Sequence, residues 1–230
     1  MNKLMIRIAK EEELQEVKKL QEDNHYNNLS TSEKEKEGFL SVETNLNLLK
    51  SINKELGVII AKSDNFVIGY SIPLTISQCR KIPMLVPFIH QAFVFAQTPY
   101  FSLRASKNKS CVIKNPQHAR HFSGGFLTER VLRLKYKCKK LSDYKIIIYG
   151  QICVKKGYKN QGVADSLADK FFDMFENTFE LVVTEISNQN SRSLNFAKNK
   201  IKFEVIDEYS AEGKNWYVLV RDIRRNRNDN

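Results

Sequence analysis

The sequence predicts an α/β fold, and three observations support this prediction. The apolar run Ile146–Val154 has the composition of a buried strand, and an amphipathic helix starts shortly after it, near Ala164. Two β-branched runs, Leu56–Ala61 and Phe66–Ile72, flank a polar tetrapeptide that is typical of a hairpin turn. The stretch Met5–Ala9 predicts a further strand, which is followed by a helix with acidic residues in its first turn.

The length and composition of the chain predict a single domain over residues 1–230. These 230 residues suffice for one buried core, and 42% hydrophobic with 27% charged residues exclude a wholly disordered chain. No apolar run reaches the length of a membrane span, so we expect no membrane partner. No secretory signal is evident at the start, which favours a cytoplasmic protein. The arginine-rich residues 221–230 are predicted to be a frayed basic tail.

The net charge of +11 is concentrated in one segment. Between Arg104 and Lys145 there are twelve Lys or Arg residues against two acids, Glu129 and Asp143. Residues 99–143 show no sustained hydrophobic period, so we predict that they form a basic insertion. Basic residues interleaved with aromatic ones can bind RNA by charge and stacking, but no nucleic-acid-binding motif accompanies them. We therefore expect a solvated basic segment and no nucleic-acid partner.

A metal site is one alternative for the same segment. Cys111, His118, His121 and Cys138 are residue types that bind zinc, and the two histidines are three residues apart, as ligands on one helix can be. The flanking spacings match no known zinc module. We therefore expect that the protein binds no metal.

The loop between the central strand and its helix has the chemistry of a phosphate site. Gly162 has no Cβ, so the backbone can approach a ligand closely there. The N–H groups that open the helix have no partner inside it, and they point at an incoming anion. Lys159 adds a positive charge at the same place.

The spacing of this loop distinguishes between nucleotide-binding motifs. A Walker A loop requires Lys followed by Ser or Thr after its second glycine, and a dinucleotide fingerprint requires three glycines; neither is present. The segment Lys159-Asn160-Gln161-Gly162-Val163-Ala164 resembles the acetyl-CoA loop of the GNAT superfamily of acyl-CoA-dependent N-acyltransferases. Two further segments, Val67–Tyr70 at the end of a hairpin and Asn190-Ser191-Arg192-Ser193-Leu194 after the next strand, are similar to segments of the same family. The resemblance extends loosely over residues 6–72 and closely over residues 144–220.

The GNAT resemblance implies a fold, a co-substrate and a set of contacts. It implies a mixed, mostly antiparallel central sheet of six to seven strands, with a splayed central pair and flanking helices. The co-substrate would be acetyl-CoA, without a metal, and the acceptor would be a small-molecule amine or a protein amino group. The resemblance assigns coenzyme contacts to Ile152, Cys153 and Val154 at the strand end, to Lys159, Asn160, Gln161, Gly162, Val163 and Ala164 in the loop, and to Asn190 and Phe196.

The family's general base and acid have no direct counterpart in this sequence. Many members have a Glu near the middle of the central strand, where this chain has Ile148, and a Tyr in the later helix, where Asn195–Lys198 contains none. The remaining candidates are Glu185, Tyr149 and Tyr209, each with a purely structural role as its alternative. Two functions therefore stay open. One is an N-acetyltransferase that acts on a primary amine. The other is a GNAT-like module that binds acyl-CoA, or a basic protein that binds a partner through residues 104–145, with little or no turnover.

Overall fold

The computed structural model describes residues 4–79, 81–82, 129–211 and 214–224. Nine strands lie in these ranges: β1 (Leu4–Ile8), β2 (Ile59–Ser63), β3 (Phe66–Leu74), β4 (Lys135–Tyr136), β5 (Lys139–Lys140), β6 (Ile146–Val154), β7 (Leu181–Ser187), β8 (Glu204–Ala211) and β9 (Lys214–Asp222). The helices in the same ranges are α1 (Leu14–Asp23), α2 (Thr31–Glu37), α3 (Leu46–Glu55), α4 (Ile76–Cys79), α5 (Glu129–Arg133), α6 (Val163–Phe175) and α7 (Ser191–Asn195). A π-helical turn over Phe196–Lys200 continues α7.

Seven of these strands form one sheet in the order β1-β2-β3-β6-β7-β9-β8, and β4 pairs with β5 in a separate ribbon. Within the seven-stranded sheet, β6 and β7 are parallel and the other pairs are antiparallel. Helices flank both faces. The predicted fold class, a mixed and mostly antiparallel sheet between helices, is therefore confirmed.

The central pair of strands separates part-way along its length. β6 pairs with β3 from Ile148 to Val154, but with β7 only from Ile146 to Ile148. The Thr184 hydroxyl donates to the carbonyl oxygen of Tyr149 at 3.0 Å, just beyond the last paired residues. Past this point β6 and β7 diverge, so the predicted splayed pair is also confirmed.

A bulge in β6 accompanies this separation. The register between β3 and β6 shifts at Ile72 and Pro73, which leaves Gly150 without an opposite residue. A Cβ at Gly150 would lie 2.7 Å from Leu74 Cδ1 and 2.9 Å from the Ile72 carbonyl oxygen. Only glycine fits at this bulge without displacing the neighbouring strand.

Each face of the sheet has its own apolar core. Leu14 of α1 and Leu49 of α3 are fully buried on one face, and Leu167 and Phe171 of α6 are fully buried on the other. Each such side chain contributes about 1.5–3 kcal/mol on burial. These helices repeat apolar residues at helical spacing, which is why α6 was predictable from the sequence.

The polar stretch Ser30–Glu37 contains α2, and its capping box joins Ser30 and Glu33. Two details differ from the sequence-based expectations. The predicted tail starts too early, because β9 extends to Asp222 and Ile223 is buried. The end of the predicted basic insertion contains α5, β4 and β5 and packs on the core through Tyr136, whereas residues 99–128 lie outside the described ranges.

Candidate functional site

The gap between β6 and β7 exposes main-chain groups of β6. The Lys155 N–H donates to the Ile68 carbonyl oxygen of β3 at 2.8 Å. Because main-chain groups alternate in direction along a strand, those of Ile152 and Val154 point away from β3 and toward the gap. Those of Cys153 point toward β3. Two amides therefore line an opening at which β7 offers no partner in the paired register.

A cavity of about 540 Å³ lies beside this opening. Its walls include Ile152, Val154, the loop residues Lys159 to Ala164 other than Gln161, and Phe39 from the segment after α2. The volume is within the range of small-molecule sites. The predicted phosphate loop and the predicted strand end therefore border one cavity.

The loop conformation directs backbone amides into this cavity. Gly162 has φ +77° and Asn160 has φ +62°, both in the left-handed region. Gly162 precedes α6, whose first hydrogen bond runs from the Ser166 N–H to the Gly162 carbonyl at 3.0 Å. In the described part of the chain no group accepts from the N–H groups of residues 163–165. This arrangement of free amides at a helix start binds anions such as pyrophosphate.

Lys159 has a different environment from the one its charge suggests. Its Nζ lies 2.8 Å from Glu37 Oε2 and donates to the Glu37 carbonyl oxygen at 3.0 Å, and its side chain is largely buried. The contact between Lys159 Nζ and the Glu37 carboxylate lowers the pKa of Glu37, so this carboxylate is charged at neutral pH. The expected positive charge of the loop is thus largely balanced by an acid from α2.

Arg192 supplies a second cation at the same cavity. Its Nη2 donates to the Asn160 side-chain oxygen at 2.8 Å, and its Nη1 donates to the Lys36 carbonyl oxygen at 3.2 Å. Arg192 therefore joins α7 to the loop and to α2, while its guanidinium borders the cavity. Arg192 lies within the Asn190–Leu194 segment that resembles the GNAT family, but no feature of the sequence assigns it to a phosphate.

A second cavity of about 440 Å³ lies at the other side of the gap. It shares Phe39, Leu40, Ile152 and Phe196, together with Ser193, with the first cavity. The two cavities thus meet where β6 and β7 separate. A ligand in the first cavity and a ligand in the second can approach each other through the sheet.

Comparisons with known proteins agree with this geometry. No protein-family model matches the chain. N-alpha-acetyltransferase daf-31 of Caenorhabditis elegans is 29% identical over 79 residues, which are 32% of this chain and 43% of that protein. This chain thus spans less than half the length of that relative.

Solved structures match the whole described fold. An N-acetyltransferase from Staphylococcus aureus Mu50 superposes with a TM-score of 0.54 at 11% identity, over 96% of this chain and 99% of the other. NAA60 of Arabidopsis thaliana in complex with acetyl-CoA superposes with a TM-score of 0.51 at 9% identity, over 96% and 99% of the two chains. The chain has the GNAT acetyltransferase fold.

Asn190 and Phe196, the two predicted coenzyme contacts that follow β7, have different surroundings. Asn190 is buried and caps α7, where its side-chain oxygen accepts from the Ser193 N–H at 3.3 Å. Its side-chain nitrogen donates to the Phe39 carbonyl oxygen at 2.9 Å. Phe196 lines both cavities. Asn190 therefore holds the segment that covers the gap, and Phe196 is part of the cavity walls.

Two of the three candidate catalytic residues, Glu185 and Tyr149, line the second cavity. Glu185 of β7 is buried beside the gap. The Tyr149 ring packs against Phe171 at 4.6 Å between centroids, its hydroxyl is buried, and this burial raises its pKa. Tyr209 pairs with Trp216 at the edge of the sheet and lines neither cavity.

Several residues of the second cavity were not predicted as site residues. His25 and Tyr26, from the turn after α1, form one wall together with Leu40. Lys214 and Trp216 of β9 also line this cavity. None of these residues belongs to a motif with a fixed spacing, so only the folded chain brings them together.

No metal cluster is present in the ranges that the structure describes. There, no three His, Cys, Asp or Glu side chains are grouped as metal ligands. Cys111, His118 and His121 of the zinc alternative lie outside those ranges. None of the helices in the described part has both the length and the apolar character needed to cross a membrane.

Proposed function

We propose that the protein is an N-acetyltransferase that transfers the acetyl group of acetyl-CoA to a primary amine. The observation that carries this proposal is the pair of cavities that meet at the split between β6 and β7. One cavity is bordered by free amides of the kind that bind pyrophosphate. The other is bordered by a buried carboxylate, Glu185, beside the same opening.

The chain's main-chain groups suit the coenzyme side of this reaction. The loop amides of residues 162–165 would hold the pyrophosphate, with Arg192 as the nearby cation. The amides of Ile152 and Val154 would bind the pantetheine arm and stabilise negative charge on the thioester oxygen. Preorganised donors of this kind usually contribute the largest single share of catalysis. Acetyl-CoA supplies an activated acyl group, and the protein needs to add no cofactor.

The acceptor side has one plausible base. An amine attacks only when it has lost its proton, and Glu185 is the carboxylate of the second cavity that lies on a strand at the gap. We assign it the role of general base. The leaving group is a thiolate. A simple thiol such as that of cysteine has a pKa near 8.5, so a thiolate is a weak enough base to depart without a positioned acid. This accounts for a chain that lacks a Tyr at the family's acid position.

The acceptor proposed here is an amino group of a protein or peptide. The similarity to an N-alpha-acetyltransferase over 79 residues supports an α-amino group. The lining of the second cavity comes from separate segments, the one between α1 and α2, the strands β6, β7 and β9 and the segment after β7, against which a bound peptide would lie. A small-molecule amine is the alternative acceptor.

The proposal is tested in two steps. Calorimetry with acetyl-CoA should give saturable binding with one site per chain. Thiol release from acetyl-CoA should then appear with peptide amines and should be absent without an acceptor. Failure to bind acetyl-CoA would exclude the coenzyme site. Binding without thiol release across peptides and small amines would make the protein an acyl-CoA-binding module.

A further inference from the structure

Two lysine ammonium groups lie on one aromatic ring of the second cavity's lining, Tyr26. The Tyr26 ring has two ammonium groups near it, Lys34 Nζ at 3.7 Å and Lys214 Nζ at 4.4 Å from the ring centroid. Phe39 packs edge-on against the same ring at 5.0 Å. Tyr26 therefore holds two cations at one place, through the attraction of its ring for cations.

These contacts join the two walls of the acceptor cavity. Lys34 belongs to α2, and Tyr26 belongs to the turn that precedes α2. Lys214 is the first residue of β9. Tyr26 and Lys214 both line the cavity and contact each other, so an acceptor bound in the cavity lies close to these ammonium groups.

The two ammonium groups are not neutralised in the part of the chain that the structure describes. There, neither Lys34 nor Lys214 has a carboxylate within 4.0 Å. Nearby Lys18 differs, because its Nζ lies 2.6 Å from Glu43 Oε2. A lysine on a ring face keeps N–H donors available for an anion. The lining is therefore positive around Tyr26, whereas Glu185 of β7 adds a carboxylate to the same cavity.

The distance between the Glu185 carboxylate and the Lys214 ammonium group determines how long an acceptor must be to reach both. Glu185 pairs with Val218 in the register of β7 and β9, and Lys214 precedes Val218 by four residues. Four residues of strand span roughly 13 Å. In a free amino acid the amine and the carboxylate belong to one residue, so the molecule is too short to reach both Glu185 and Lys214. An extended peptide covers this distance in about three to four residues.

We propose that the acceptor is a peptide amino terminus with Asp or Glu at its second or third position, and that Lys214 and Lys34 select it. The inference rests on the proposed function. The amine lies near Glu185, and the acidic side chain and the lysine side chain together shorten the span that the peptide backbone must cover. The net charge of +11 favours the approach of such acceptors over that of basic ones.

The test compares three peptides that share an amino-terminal Ser and differ at positions two and three: Glu-Glu, Gln-Gln and Lys-Lys. Thiol release measured as kcat/KM should be at least tenfold higher for the acidic peptide than for the neutral one. It should be lowest for the basic peptide, and added salt should reduce the differences. Free aspartate and glutamate serve as short acceptors and should react poorly.

Two charge-reversed variants separate local recognition from net charge. Lys214→Glu should lower the ratio of acidic to basic peptide at least tenfold, and Lys34→Glu should act in the same direction. Lys54→Glu changes the net charge equally but lies exposed on α3, away from both cavities, so the ratio should stay unchanged. An unchanged affinity for acetyl-CoA would show that each variant is folded.

The outcomes distinguish this inference from the proposed function. If neither the three peptides nor small amines supported thiol release, the acetyltransferase itself would be contradicted. Equal rates for the three peptides, or an equal effect of Lys54→Glu and Lys214→Glu, would overturn the acidic preference and leave the acetyltransferase intact. Efficient acetylation of free glutamate would overturn the peptide length.

Discussion

Lys159 and Glu37 form an ion pair at the edge of the coenzyme cavity, with 2.8 Å between Nζ and Oε2. The two residues are far apart in sequence, and the pair holds the end of α2 against the loop that precedes α6. An anionic ligand at this loop is attracted by Lys159 and repelled by Glu37, so the pair as a whole attracts it little. We therefore expect the proposed coenzyme to be held mainly by the backbone amides and Arg192.

Replacement of Glu37 should strengthen coenzyme binding. Glu37→Gln removes a negative charge near the pyrophosphate site and frees Lys159 to contact the ligand. We expect a two- to fivefold lower Kd for acetyl-CoA, which corresponds to about 0.4–1 kcal/mol of binding free energy. Calorimetry measures this change. The Lys159→Gln variant removes the cation of the pair instead, so it should bind acetyl-CoA more weakly. Weaker binding by Glu37→Gln would instead show that the pair acts by holding α2 in place.

A side chain at Gly162 should abolish coenzyme binding. A Cβ there meets no protein atom within 4 Å, so Gly162→Leu extends into the cavity rather than into the core. Gly157 is a matched control, because it also has positive φ, at +92°, and open space around it, but does not line the cavity. Both leucine variants carry a similar backbone strain of about 1–2 kcal/mol. Only Gly162→Leu should lose affinity for acetyl-CoA, by more than tenfold.

Unchanged affinity in Gly162→Leu would place the coenzyme elsewhere. Equal losses in the Gly157 and Gly162 variants would assign the effect to strain in the loop. Melting temperatures of the two variants, measured without ligand, separate these outcomes from unfolding.

Glu185 should contribute to the chemical step and not to coenzyme binding. Loss of a positioned base costs roughly 10²–10⁴ in rate, so Glu185→Gln should lower kcat by that factor and leave the Kd for acetyl-CoA unchanged. Tyr149→Phe is the comparison, because its hydroxyl is buried within the aromatic cluster around Phe171. We expect the activity of this variant to stay within about twofold. A large loss in Tyr149→Phe would exchange the two assignments.

Acid should destabilise the fold through Glu13. Its carboxylate accepts from both terminal nitrogens of Arg7, at 2.7 Å each, and from Lys62 at 2.7 Å. The Arg7 guanidinium in particular holds the pKa of Glu13 far below its usual range. A lowered pKa in the folded state stabilises the protein above the unfolded pKa near 4.3. This contribution is lost progressively as the pH falls below that value.

The Glu13→Gln variant isolates this effect. At pH 7 it should lower the free energy of unfolding by roughly 2 kcal/mol, the scale of hydrogen bonds to charged groups. Urea denaturation at a series of pH values should show the difference from the parent protein shrinking as the pH falls from about 5 to about 2. A difference that is independent of pH would show that the ion pairs contribute little.

The sequence predicts the coenzyme side better than the acceptor side for a physical reason. The strand Ile146–Val154, the loop at Gly162 and the helix after it are adjacent in the chain, so local periodicity and turn chemistry define them. The acceptor cavity combines Tyr26, Glu185 and Lys214, which come from three distant segments. The pairing of Lys159 with Glu37 is likewise a tertiary contact. No local pattern encodes such contacts, although the Ser30–Glu33 capping box does mark α2.

Gln151 should position the acceptor wall without taking part in the chemistry. Its side-chain oxygen accepts from Gln21 at 2.7 Å and from the Tyr70 hydroxyl at 3.3 Å, and its side-chain nitrogen donates to the Val42 carbonyl oxygen. Gln151→Leu leaves these buried groups without partners, at a cost of about 1–3 kcal/mol in stability. It also releases the wall at Val42. The KM for the peptide should therefore rise while the Kd for acetyl-CoA stays constant.

A conservative variant of Gln151 separates the bond that its side chain donates to Val42 from the two bonds that it accepts. Gln151→Glu keeps an acceptor for Gln21 and Tyr70 but loses the donor to the Val42 carbonyl oxygen. If the bond to Val42 positions the wall, this variant should raise the KM for the peptide about as much as Gln151→Leu does, since both lose the same donor. A normal KM in Gln151→Glu, with a raised KM in Gln151→Leu, would assign the effect to the buried Gln21–Tyr70 network instead.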